Sequence, residues 1–403
     1  MVLPESVGGN FRPFVNPAQK RRTLCYVIEG LSSFGTAFFF AYIYFFLHDR
    51  FGFLDKSNLI VAAVLGLCYA VASWSAGRLA QSWGYYATLK LGFGSMVAGL
   101  VIGLLFPSVI GVIVSAAVVT LGMSFIWPVL EAIVSQGESP DHVPNAVGLY
   151  NITWAVTNAI ALFIGGTLIV KFGYHTLFYV PLGLFASQMA LTFWMEKLPV
   201  PTVIQKAPHL ADAPQRPSPK LTKSFQRMSW LANPFAYIGI NTLLAVLPGI
   251  ATKFHLSPMF AGFACSLWGF VRLLSFVALW RWTGWHYRFR WLATAYAMLI
   301  FSFATILIAP SLLMVLMAQL FFGAAIGLIY YSSLFYAMDA QDSTSEHGGI
   351  HEAAIGIGNC LGPAAGATAL WLAPQNLNGG AWAVSGLLLA GLGGLLWLRK
   401  SSG

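Results

Sequence analysis

The sequence predicts an all-α membrane protein with twelve transmembrane helices in two six-helix bundles, and three observations carry that expectation. Of its 403 residues, 58% are hydrophobic and only 9% are charged, against roughly 25% charged in an ordinary soluble domain. The apolar residues collect into runs of about 20, the length that crosses the hydrocarbon core of a bilayer as helix. One long interruption, Glu196 to Ser229, divides these runs into two sets of six. It holds Pro199, Pro201, Pro208, Pro214, Pro217 and Pro219 among several lysines and arginines, and reads as a solvated linker. The domains expected are a tail over 1–23, a bundle over 24–195, the linker over 196–229, a bundle over 230–398 and a tail over 399–403.

In the first set, the segment before the first span is polar and ends in Lys20, Arg21 and Arg22, so it lacks the form of a signal peptide and the span is expected to remain in the mature chain. That span, 24–47, carries Glu29 a little over one turn in, with Ser32, Ser33 and Thr36 near the same face. A charge inside a span costs at least roughly 2.5 kcal/mol on insertion scales, and such residues normally face a cavity or a partner. Glu29 is therefore a candidate for proton or substrate binding, with a structural ion pair as the alternative. The second and third spans cover 58–80 and 85–106, where Lys90 lies near enough to the end to snorkel. In the fourth, 108–134, Glu131 follows Trp127 and Pro128 near the end of the span, a position that favours a gate contact with loop arginines such as Arg78. The fifth, 146–170, places Asn151, Trp154 and Asn158 at i, i+3 and i+7 on one helical face. Two amides and an indole there suit an amphipathic solute, and helix-to-helix hydrogen bonding is the competing reading. The sixth span is 176–195.

The second set opens with 230–251 and 258–280. Arg272 is the only basic residue in the middle of a span, beyond snorkelling distance, and a guanidinium stays charged, so it needs a partner. That partner is either Glu29 or Glu352, or a carboxylate or phosphate of the substrate. After 289–309, the tenth span, 311–338, offers Tyr330 and Tyr331, which join Trp268 of the eighth as possible cavity aromatics. The eleventh, 350–373, begins with His351 and Glu352 and continues to Asn359. Adjacent helical residues point about 100° apart, so His351 and Glu352 do not form one site, although either could carry a coupling proton. The last span is 379–398.

Charge fixes the expected orientation. With the N-terminus inside, seventeen of the 22 lysines and arginines fall in cytoplasmic segments, four (Arg50, Lys56, Lys171, Lys253) fall outside and Arg272 lies within a span. Both termini and the linker are thus expected in the cytoplasm, at the plasma (inner) membrane. The net charge of +9 belongs to these short loops rather than to one soluble face, which argues against a nucleic-acid partner. The four cysteines, Cys25, Cys68, Cys265 and Cys360, fall inside spans without ligand-spaced companions, so neither disulfide nor metal is expected. The halves also look related: at an offset of 201, Gly122 meets Gly323, Gly148 meets Gly349, Asn158 meets Asn359 and Gly165 meets Gly366.

The loop after the second span reads Gly77-Arg78-Leu79-Ala80-Gln81-Ser82-Trp83-Gly84-Tyr85-Tyr86. With the six-plus-six layout, it resembles the Gly-x-Leu-Ala-Asp-Arg-x-Gly-Arg-Lys pattern of the major facilitator superfamily (MFS). Gln81 stands at the acidic position and Tyr85 and Tyr86 at the basic pair. The resemblance makes Gly77, Arg78, Gly84 and Glu131 gating candidates. The family's antiporter pattern in the fifth span keeps Gly148, Gly165 and Gly166 but has Thr157, Ala161 and Leu162 for its central Gly, Gly and Pro. A better copy, Gly349, Gly358, Gly362, Pro363 and Gly366, stands in the eleventh span.

The resemblance implies secondary active transport of a small organic solute by alternating access, proton-coupled, with symport favoured over efflux antiport of amphipathic compounds. Candidate substrate or proton residues are Glu29, Asn151, Trp154, Asn158, Arg272, Tyr330, His351, Glu352 and Asn359. No Gly-x4-Gly-Lys-Ser/Thr loop is present, so a nucleotide-driven pump and a bound cofactor are not expected. The expected partners are the solute, the coupling proton and membrane lipid, with the chain a monomer. A membrane-embedded lipid-linked group transferase is the alternative of another class, using acids such as Glu138, Asp141 and Asp342 in the loops. A transporter-fold receptor is a third.

Overall fold

The computed structural model describes residues 17–136, 143–199, 218–339 and 345–402. The loop acids Glu138, Asp141 and Asp342 and most of the linker lie outside the described residues. The first half comprises α1 (Pro17–Phe51), α2 (Asp55–Trp83), α3 (Tyr85–Leu105), α4 (Val109–Ser135), α5 (Val143–Phe172) and α6 (Thr176–Glu196). The second comprises α7 (Pro219–Lys253), α8 (Pro258–Cys265), α9 (Leu267–Arg281), α10 (Phe289–Ile308), α11 (Leu312–Asp339), α12 (Ser345–Leu372) and α13 (Gly379–Ser402). Among the described residues twelve segments are long and apolar enough to cross a membrane, with α8 and α9 together making one, Pro258–Arg281. An even number of crossings puts the chain ends and the linker on one face, called here the terminal face.

Two helices begin earlier than hydropathy alone indicates. The first turns of α1 and α7 are basic, with Lys20, Arg21 and Arg22 in one and Lys220, Lys223 and Arg227 in the other, so they fail an apolar criterion while remaining helical. At α7 the start is set locally. Ser218 Oγ accepts from the Leu221 amide at 3.3 Å, and Pro219 occupies the first position, where its missing N–H costs nothing. The linker expected over 196–229 therefore ends at 218.

Each half packs internally, α1 on α5 and α6 and α3 on α4 in the first, α7 on α11, α12 and α13 in the second. The halves meet along α2 and α12, where missing side chains let the backbones touch. A Cβ on Gly66 would lie 2.5 Å from the Asn359 carbonyl carbon, and one on Gly356 would lie 2.5 Å from Ala70 Cα. Nearer the terminal face, Gly349 lies against Ser73 and Gly77. At the opposite face, Gly166 of α5 abuts the Pro258 backbone and Gly249 of α7 abuts Asp55. Lipid tails drive no hydrophobic association between helices, so such close van der Waals packing carries the interface. Large apolar side chains such as Val71, Leu274, Phe301 and Trp397 stay exposed on the outer surface, as a lipid-facing belt requires.

Candidate functional site

Between the halves lies a cavity of about 150 Å³. The first half contributes Glu29, Tyr69, Trp127, Glu131, Tyr150, Trp154 and Asn158. The second contributes Tyr237, Asn241, Trp268, Arg272, Tyr330, Glu352 and Asn359.

The placement of Arg272 begins with a break in its own span. In a continuous helix the Trp268 amide would donate to the Ala264 carbonyl. Here the side chain of Gln319, from α11, is inserted between them. The Trp268 N–H donates to Gln319 Oε1 at 3.4 Å, and Gln319 Nε2 donates to the Ala264 carbonyl at 2.9 Å. A side chain entering the i→i−4 ladder is a standard cause of a helix break, and it separates α8 from α9 at Ser266. One turn further on, Arg272 reaches across to the first half. Its Nη2 donates to Asn158 Oδ1 at 2.9 Å, and its guanidinium carbon lies 4.2 Å from the Trp154 ring centre and 5.0 Å from that of Trp268. Both distances are within cation–π range. Arg272 is 3% exposed, and its Nε has no hydrogen-bond partner among the described residues. Of the two readings of Arg272, the ion pair with Glu29 or Glu352 is not formed: an amide and two indoles occupy the guanidinium instead.

The acids are held by hydroxyls. Glu29, fully buried, accepts from Ser33 Oγ at 2.6 Å and from Tyr150 Oη at 2.7 Å, all within the first half. Glu352, on α12, accepts from Tyr69 Oη on α2, so this bond joins the two halves. Glu131 also lines the cavity. It stands one turn before the end of α4 at Ser135, close to the span end expected from the sequence.

Trp154 stacks on Tyr330 at 5.1 Å and on Phe276 at 6.1 Å, and Phe276 stacks on Tyr330 at 5.8 Å. Phe276 lies one turn beyond Arg272 toward the terminal face. Further in that direction is a second cavity of about 240 Å³, lined in part by Gly148, Asn151, Trp280, His286 and Tyr331. The three stacked rings therefore stand between the two spaces.

Three candidates lie elsewhere than expected, one of them Tyr331, which lines the second cavity and not the central one. Asn151 shares a helical face with Asn158, but seven residues are about 10 Å of helix rise. It lines the second cavity and donates to the Val147 carbonyl at 2.8 Å. His351 is buried against α7, its Nε2 3.4 Å from Asn233 Nδ2 and its ring 6.4 Å from that of Trp230, and it is not among the residues lining the central cavity. Trp154, Asn158, Tyr330, Glu352 and Asn359 all line that cavity, with Asn359 accepting from Asn241 Nδ2. Lys90 pairs with Glu196 at 3.1 Å. Of the gating candidates, Gly77 faces Gly349 across the seam, and the Arg78 guanidinium lies 6.0 Å from the Trp74 ring. Gly84 joins α2 to α3 with φ +87°, a conformation that favours glycine, and a Cβ there would meet nothing. Reading the sequence missed Tyr69, Tyr150, Tyr237 and Asn241. A hydroxyl or amide within an aromatic-rich span gives no signal until its partner is known.

A sequence model of the Major Facilitator Superfamily matches residues 23–367. No curated protein matches the chain. Among solved structures, the chain is similar to the POT family transporter PepTSo, at 12% identity and TM-score 0.71, over 95% of this chain and 98% of that one. It is similar to the human organic anion transporter MFSD10 (TETRAN) at 15% identity and TM-score 0.65, over 94% of this chain and all of that one. A bacterial homolog of the human lysosomal transporter Spinster, in an inward-facing and unoccupied conformation, matches at 13% identity and TM-score 0.65, covering 97% of this chain and 96% of that one. At these identities the likeness shows the fold. The family match, reaching from the first span into the eleventh, shows the membership: the chain belongs to the major facilitator superfamily and is a transporter rather than an enzyme.

Proposed function

We propose that the protein is a proton-coupled secondary transporter that carries a small organic solute through the central cavity by alternating access. The observation that supports it best is the set of three acids, Glu29, Glu131 and Glu352, facing one space between the halves. No ion pair joins any of them to a lysine or arginine among the described residues. A carboxyl without a cation partner can change its charge by taking up a proton, and here that change occurs beside the solute space, where it can bias one packing of the halves over the other. Symport is favoured, because the fifth span has Thr157, Ala161 and Leu162 where the antiporter pattern has Gly, Gly and Pro. In proteoliposomes holding a pH dye, inward gradients of solute classes applied in turn should make protons move inward with at least one solute. Labelled-solute counterflow with no proton movement would overturn the coupling.

The charge bias of the loops supports a terminal face in the cytoplasm; a plasma-membrane location and a monomeric state belong to the same proposal. In a background lacking the native cysteines, Ser401→Cys should be shielded from an impermeant external reagent in intact cells and Asn376→Cys should label. Labelling of both would sink this topology.

A further inference from the structure

We infer that the transported solute is a monoanion of about one ring in size, a flat monocarboxylate of the benzoate class, whose carboxylate is received by Arg272. This rests on the transport reading above and adds to it the chemistry of the solute.

The inference starts from an unbalanced charge. Among the described residues Arg272 is the only lysine or arginine lining the central cavity, it is nearly fully buried, and no carboxylate takes its fork. Asn158 uses one of its five N–H groups, and Nε has no partner among the described residues. An amide oxygen and two indole faces compensate a buried guanidinium only in part, because none of them carries a full negative charge. A carboxylate would supply that charge and meet the fork along two parallel hydrogen bonds.

The number of charges is limited by the remaining walls. A single cation faces three acids, so a second carboxylate on the solute would lie among Glu29, Glu131 and Glu352 with no donor cation of its own. A solute cation would find those acids but would leave Arg272 unpaired beside it. One negative charge satisfies Arg272, and the three acids, which can be neutralised by protons, need no cation from the solute.

Size and shape follow from the space. The cavity measures about 150 Å³, and an engineered protein cavity of about 150 Å³ accommodates benzene. Aromatic rings gather at the arginine end, where Trp154, Trp268, Tyr237 and Tyr330 line the space. A planar aromatic body can lie against such faces in offset or edge contact.

The geometry also makes both halves sense binding. Arg272 belongs to the second half, and its present partners Asn158 and Trp154 belong to the first. A carboxylate on the guanidinium competes with these ties, and Trp154 is one of the three rings between the two cavities.

The test is an equilibrium titration of the detergent-purified full chain with benzoate, benzyl alcohol, benzylammonium and phthalate at neutral pH, without any proton gradient. Benzoate should bind and raise the unfolding temperature, with each of the other three weaker by about tenfold or more. Arg272→Gln should weaken benzoate by roughly tenfold to a hundredfold, the range for hydrogen bonds to a charged group. If that variant does not fold, the charge series on the unmodified chain decides alone. Absent benzoate binding, equal or tighter binding of any other probe, or unchanged benzoate affinity in a folded Arg272→Gln protein each overturn the inference. Because the readout is binding, benzoate-specific binding without proton-linked flux would support this assignment while overturning only the coupling.

Discussion

Glu352→Gln is expected to abolish proton-driven accumulation of the solute while leaving exchange at equal pH within a few-fold of normal. One pH unit is worth about 1.4 kcal/mol per coupled proton, hence about tenfold accumulation. In the variant that ratio should fall to about one. Glutamine keeps the shape of the acid and a carbonyl oxygen that can still accept from Tyr69, so the bond between α12 and α2 survives the substitution. What is lost is the ability to change charge. Glu352 is singled out from the other acids because its partner lies in the opposite half, so its protonation alters a contact between the two halves. Glu29, by contrast, is bonded to Ser33 and Tyr150 within its own half. Glu29→Gln is accordingly expected to weaken coupling less. Uptake into proteoliposomes with and without a pH gradient measures both variants, and full gradient-driven accumulation by Glu352→Gln would remove this residue from the coupling route.

The charged members of the site were legible in the sequence because a charge in an apolar run costs too much to stand without a cavity or a partner. Glu29, Glu352 and Arg272 stood out on that ground, and the structure gathers all three around one cavity. What the sequence could not give was depth and pairing. Helical spacing put Asn151 on the face of Asn158 but left it about 10 Å away along the axis, below the stacked rings. Charge alone points Arg272 to an acid of the protein or to an anionic group of the substrate, whereas within the protein an amide and two indoles hold it. The break between α8 and α9 was also hidden, because it comes from Gln319, some fifty residues away in sequence, and not from a glycine or proline in the span. The span count survived because it depends only on length and apolarity, and the early starts of α1 and α7 escaped because helix outlasts apolarity at a basic end.

Gly356→Ala is expected to cut transport by at least about tenfold, while the same substitution at Gly94 should leave it within about twofold. Both glycines are in helices and both changes add one methyl group, so helix propensity affects them alike. Their surroundings differ. At Gly356 the new Cβ would lie 2.5 Å from Ala70 Cα and N, which are backbone atoms of α2 and cannot rotate away. At Gly94 it would meet nothing within 4 Å. Relieving the clash at Gly356 requires α2 and α12 to part along the seam that also holds Gly66 against Asn359 and Gly77 against Gly349. Overpacking of this kind costs about 1–3 kcal/mol, and because the strain falls on the packing in which the seam is closed, it displaces the balance between conformations by roughly tenfold to a hundredfold. A carrier that alternates between two packings of its halves is limited by the rarer one, so a displacement of that size lowers the rate in either direction of transport. The protein should still insert and elute as a single species. Normal flux in Gly356→Ala would show that α2 and α12 can absorb a methyl group between them, and that this seam does not set the balance between the two packings.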